Sequence, residues 1–241
     1  MLPLCHPSQQ SGRRSARAFT LIELLTVVAI IGILAAILIP VIGRIRQSAR
    51  TSNCARNLSG FATAFQLYAA DNKGLYPAVR YKNANKDVAG VNPTQDNWQV
   101  ELSAYQSRAI NDLSKLTASG DSYVFCPEFV AKYADDPKWK STIGTTAGYG
   151  MNPSLGISGG NAWDVRFKAA QIPRPARAIL VGDSGTHFLN ATTVWSPDAT
   201  VLGGYAGGDP VRHAGKANYL YADGHVVLLS PDDALLALKN P

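Results

Sequence analysis

Acidic residues are missing from the first eighteen positions, and between Phe19 and Ile39 the only charge is Glu23. Cysteine is scarce. The three present, Cys5, Cys54 and Cys126, form no CxxC pair, which argues against an ordinary cysteine zinc module. No GxxxxGK[ST] loop is available to cradle a nucleotide phosphate. The GDSG string at Gly182–Gly185 follows a strand pattern and reads as a turn, not as part of a nucleophile motif. Repeats and long low-complexity tracts are absent as well. The formal charge of +6 is concentrated at one end, because removing Arg13, Arg14 and Arg17 leaves +3. Basicity therefore gives little reason to expect a nucleic-acid partner.

What the chain does contain is one long apolar run, FTLIELLTVVAIIGILAAILI, from Phe19 to Ile39. As a helix its 21 residues reach roughly 32 Å, enough to cross a bilayer core. A secretory signal has a shorter apolar region and a small-x-small exit, so a membrane helix is the better reading. Glu23 inside this run is costly in lipid and asks for a partner or a function, although its place near the membrane edge eases that cost. Pro40 follows and removes one backbone donor. Arginines flank the run on both sides, at 13, 14 and 17 and at 44, 46, 50 and 56, so charge alone does not set its orientation.

Beyond Pro40 the apolar positions thin to helical spacing. Cys54, Leu58, Phe61, Phe65 and Tyr68 mark one face of a helix continuing to about Ala70, with Asp71-Asn72-Lys73-Gly74 as the stop. The remainder, from Leu75, reads as a small α+β head. A short helix is expected over Trp98–Tyr105, a loop over Ser141–Gly160 and a strand within Ala176–Ser184. ANYLYADGHVVLL predicts a hairpin with a type I′ turn at Asp223-Gly224. Ser230 and Pro231 then open a terminal helix through Leu238. Cys126 falls in YVFCPE, read as a strand end stopped by Pro127. Cys54 points towards the head, so a Cys54–Cys126 disulfide and a pair of buried free thiols are both open.

RRSARAFTLIELL resembles the N-terminal signal of type IV pilins and type II secretion pseudopilins. That resemblance implies a basic leader over 1–18, cut by a prepilin peptidase between Ala18 and Phe19, with N-methylation of Phe19. The family prefers Gly where this chain has Ala18. Glu23 would be the acid that pairs with the N-terminal amine of a neighbouring subunit. The implied layout is a transmembrane helix over 19–40, a helix extension over 41–74 and a pilin-like head over 75–241 with an antiparallel sheet. The implied function is a structural subunit, not an enzyme, of a type II secretion pseudopilus or type IV pilus-like filament in the bacterial inner membrane. Its head would be periplasmic or extracellular. Its partners would be the peptidase, other pilin-like subunits and an inner-membrane assembly platform. The alternatives are an adhesion module exported by the same route or, less favoured, a tethered metal-dependent hydrolase.

In RHAGKANYLYADGHV, nine residues separate His213 from Asp223-Gly224. This is similar to the head motif of a large group of prepilin-processed proteins, and NCARNL, FCPE, GYGMN and ILVGDS are similar to landmarks of the same group. His213, Asp223, His225, Asp183 and His187 are the candidate ligands, with zinc suited to such donors. Asp223 already has a local explanation in the turn, so structural roles and no cofactor are expected. Calcium, which some major pseudopilins bind in a late head loop, finds no acidic loop here, where Asp209 stands alone beside Gly207 and Gly208.

Overall fold

The computed structural model describes residues 20–79, 98–106, 125–133, 148–155, 166–185, 188–189 and 208–240. Ala18, Phe19 and the leader lie outside the described residues, as does His187. The first helix, α1, spans Leu21–Asp71 and continues through Pro40. Two compact units divide the chain, one ending at Ile45 and the other beginning at Arg46.

In the first unit Thr20 and Glu23 form a reciprocal helix-start pair. The Glu23 carboxylate accepts from the Thr20 N–H at 2.9 Å and from its hydroxyl at 2.8 Å, while the Glu23 N–H donates to Thr20 Oγ1 at 3.3 Å. From Leu21 to Ile45 the large aliphatic side chains are exposed, Leu21 at 87% and Ile39 at 70%. This is a helix long and apolar enough to cross a membrane.

In the second unit α1 becomes one-sided. Cys54, Leu58, Phe61, Phe65 and Tyr68 are buried, as their spacing predicts. Phe61 meets Trp98 and Tyr149 edge-on at 5.0 and 5.7 Å, and Phe65 meets Tyr76 at 5.1 Å. The helix ends where Lys73 enters the left-handed region (φ 57°) and the Gly74 N–H returns to the Ala69 carbonyl. Two short helices follow, α2 (Trp98–Ser103) and α3 (Pro127–Tyr133). The second corrects the reading of FCPE as a strand end. Pro127 opens a helix, at the position where a missing N–H costs nothing.

Four antiparallel strands make one sheet in the order β1-β2-β3-β4: β1 Tyr149–Met151, β2 Ile179–Asp183, β3 Ala217–Tyr221 and β4 Val226–Leu229. The segment 141–160 was expected to be loop, yet it holds β1. Three residues are too few to show a period, and pairing with β2 completes them. Gly150 is required there, because a Cβ would stand 2.3 Å from the Phe188 carbonyl oxygen.

Alternation along β3 sorts the sheet faces. Ala217, Tyr219 and Tyr221 join a cluster with Ala234 and Leu238 of the last helix, α4 (Pro231–Lys239). Leu220 faces the larger core with the α1 aromatics. β2 and β3 are buried along their whole length, which is why these two strands read as apolar runs. α4 is capped as expected, with Ser230 Oγ accepting from the Asp233 N–H and Pro231 in the first turn.

The β3–β4 turn is not type I′. Of its central residues only Gly224 has a positive φ, 99°, and the Gly224 N–H closes on the Tyr221 carbonyl while the Tyr221 N–H bonds the His225 carbonyl. That is the three-residue loop ending in a left-handed glycine. The double-positive turn lies earlier, at Ala214 (φ 52°) and Gly215 (φ 86°), where His213 and Lys216 exchange both backbone bonds at 2.7 and 3.1 Å.

Candidate functional site

The most concentrated chemistry in the head sits where α1, the start of α3, β2 and the tight turn before β3 meet. The spacing on α1 puts Thr51 and Cys54 one turn apart on the same face. Cys54 is joined by a disulfide to Cys126, immediately before Pro127. The Ala214-Gly215 turn folds the chain back sharply and presents His213 to this pair, with His213 Nε2 3.7 Å from Cys126 Sγ.

Asp183 ends β2 with its side chain fully buried. One carboxylate oxygen accepts from Arg212 Nη1 at 3.1 Å. The other accepts from the Asn218 N–H at 2.7 Å and faces His213 Nε2 at 3.0 Å. Arg212, also fully buried, donates from Nε to Asp209 at 2.9 Å and from Nη2 to the Ser184 carbonyl at 2.9 Å. Its Nη1 also bonds the Gly148 carbonyl, and the guanidinium lies 4.6 Å over the Phe129 ring. Burial works against the Arg212 charge, but Asp209 and then Asp183 outweigh it, so the guanidinium is held protonated more firmly than in water.

The His213 ring is fixed from both sides. Thr51 Oγ1 gives its single hydrogen to the Gln47 carbonyl at 3.0 Å, so it can only accept from His213 Nδ1, 3.2 Å away. Nε2 faces the Asp183 carboxylate. Arg212, a buried cation, is thus held between two buried carboxylates, Asp183 and Asp209, a pairing of the kind that lets buried charge be tolerated. Nearby, Tyr149 donates to the Cys54 carbonyl at 3.3 Å, and burial pushes its hydroxyl pKa well above the ordinary value.

The structure splits the ligand candidates. His213 and Asp183 come together in the core, while Asp223 and His225 form their own pair at the exposed hairpin tip, Oδ1 to Nδ1 2.5 Å. Burial acts to raise the pKa of the Asp223 carboxyl, but the backbone and ring bonds from His225 together outweigh it and hold that carboxyl below its usual value. Asp209, set aside as isolated, is the main partner of Arg212. Sequence reasoning missed Arg212 and Thr51, and the pairing of Asp209 with Arg212 at three residues' distance was the available signal. Among the described residues, one cluster of three such donors lies within metal-ligand reach, and it is Cys54, Cys126 and His213.

Residues 13–39 match the model of the prokaryotic N-terminal methylation motif. The chain is 34% identical over 91 residues to type II secretion system core protein G of Pseudomonas aeruginosa, an alignment covering 37% of this chain and 63% of that protein. The chain therefore spans less than two thirds of its curated relative. No solved structure matches it. Both sequence matches point to structural subunits and not to enzymes. With its methylation motif, its long apolar N-terminal helix and its small antiparallel sheet, the chain is pilin-like in both sequence and fold.

Proposed function

We propose that this chain is a pilin or pseudopilin subunit, cut between Ala18 and Phe19 by a prepilin peptidase, N-methylated on Phe19 and assembled into a filament of the type II secretion or type IV pilus kind. The observation that carries this reading is a coincidence of motif and exposure. The described part of the segment matching the methylation motif, residues 20–39, leaves its large aliphatic side chains uncovered. Such a surface needs lipid before assembly and neighbouring helices after it. The subunit would sit in the bacterial inner membrane with its head outside the cytoplasm. Its partners would be copies of itself or related subunits and an assembly platform.

Glu23 would neutralise the new amine of a neighbouring Phe19. Its bonds to Thr20 offer a purely local role instead, and one substitution separates the two. Glu23→Gln keeps an acceptor for the Thr20 N–H and hydroxyl but removes the charge. Filament assembly, read by cross-linking in cells, should be lost while the head remains folded; normal assembly would overturn the electrostatic role. Mass spectrometry of the assembled protein should give an N-methylated Phe19 start. An intact Met1 start on that material would refute the processing reading.

A further inference from the structure

We propose that in its reduced form the head binds one zinc ion through Cys54, Cys126, His213 and Asp183, and that the Cys54–Cys126 disulfide is the oxidised, metal-free state of the same site. This does not rest on the filament reading. One donor atom from each of Cys54, Cys126 and His213 lies within 4.8 Å of the others. Asp183 Oδ2 is 3.0 Å from His213 Nε2, and Cys126 Sγ is 3.7 Å from the same nitrogen. Tetrahedral zinc with sulfur, nitrogen and oxygen ligands places its donor atoms ~3.3–3.8 Å apart. Opening the sulfur–sulfur bond lets the two sulfurs separate towards that spacing around one ion with His213, and Asp183, beside His213, supplies the fourth ligand.

The surroundings suit an ion. The Thr51 hydroxyl, its hydrogen committed to the Gln47 carbonyl, holds the His213 proton on Nδ1 and so leaves Nε2 as the ligand lone pair. Asp183 is oriented by Arg212 and by the Asn218 N–H. All four side chains are buried, which fits a closed structural site rather than a catalytic one with an open position. Two thiolates offset the ion's two charges and favour zinc over magnesium or calcium.

The chemistry balances. A dithiol or phosphine reductant supplies two electrons, and two protons complete the two thiols. Zinc then displaces the two thiol protons to solvent, and His213 binds through its Nε2 lone pair. In reverse, a disulfide oxidant accepts two electrons, the sulfur–sulfur bond forms and zinc leaves. Metal and disulfide would thus join α1 to the start of α3 in turn, according to the redox state.

The test uses the full chain in detergent micelles, reduced with a phosphine, freed of reductant without air and titrated with Co²⁺. The reduced protein should show the ligand-field absorption of four-coordinate cobalt thiolate, saturating at one equivalent and bleached by Zn²⁺. The oxidised protein and the Cys54→Ser/Cys126→Ser double variant should show none. Thr51→Val, which keeps the side-chain shape, should weaken zinc binding about 10- to 100-fold. Absorption of octahedral cobalt only, or equal binding by the double variant, would overturn the proposal. So would a reduced chain that is unfolded and stays unfolded when Zn²⁺ is added, because binding at this site must favour the folded state.

Discussion

His213 Nδ1 lies 3.2 Å from Thr51 Oγ1, so a turn 162 residues downstream is bonded directly to α1. One helical turn further on, Cys54 makes the covalent link to Cys126. Asn218 of β3 reaches the Thr51 carbonyl at 3.4 Å. Two regions distant in sequence, one at Cys126 and one at His213 to Asn218, are therefore anchored within one turn of a single helix.

The disulfide closes a loop of 72 residues, for which chain entropy alone predicts about 4 kcal/mol of stabilisation. Reduction should lower the urea midpoint of the wild-type head in metal-free buffer. It should leave that of Cys54→Ser/Cys126→Ser unchanged. Peptide mapping without reductant should recover Cys54 linked to Cys126.

Removing one member of the buried charge cluster leaves its partner uncompensated. Asp183→Asn should cost about 3–5 kcal/mol in equilibrium unfolding. Asp223→Asn at the exposed tip should cost well under 1 kcal/mol at neutral pH. Equal losses from the two would show that the core cluster carries no special weight.

Ala214 holds a left-handed conformation that disfavours a Cβ. Ala214→Gly relieves about 1–2 kcal/mol of left-handed strain against about 0.5–1 kcal/mol of added unfolded-chain entropy, so it should raise stability slightly. Gly215→Ala, at φ 86°, should lower it. Thermal melts of the two variants should shift in opposite directions.

The depressed carboxyl of Asp223 gives an acid limb. A carboxylate whose folded value lies below its unfolded value adds stability above the unfolded pKa of about 4 and loses it as pH falls through the lower folded value. The difference between wild type and Asp223→Asn should therefore shrink as pH falls below about 4. A difference that grows on acidification would contradict the assigned contact.

Long periodic features were legible in the sequence and short cooperative ones were not. The packing face from Cys54 to Tyr68 repeats often enough to identify itself, as does the Ser230-Pro231 helix start. β1 has three residues and exists through its partner strand, so no local pattern announces it. Asp-Gly at 223–224 carried the stronger turn signal, yet the double-positive turn fell on Ala214-Gly215, where backbone pairing of His213 and Lys216 overrides the preference against a left-handed alanine. The candidate site was half visible. His213, Asp183 and the two cysteines could be singled out, but sequence spacing grouped His213 with Asp223 and His225, and only the chain's return to α1 sets them apart. Beyond its spacing from Asp209, Arg212 carries no distinguishing signal in the sequence, because its two carboxylates and two carbonyls come together around it only in the fold.

The first fully buried side chain along α1 is Cys54, and among the described residues none from Thr20 to Ile45 is buried. A fragment beginning at Arg46 would retain the whole of that described core while shedding the greasy stem. With copies cohering through the stem, as proposed above, the strength of their union could be tuned at side chains that the described core does not draw on.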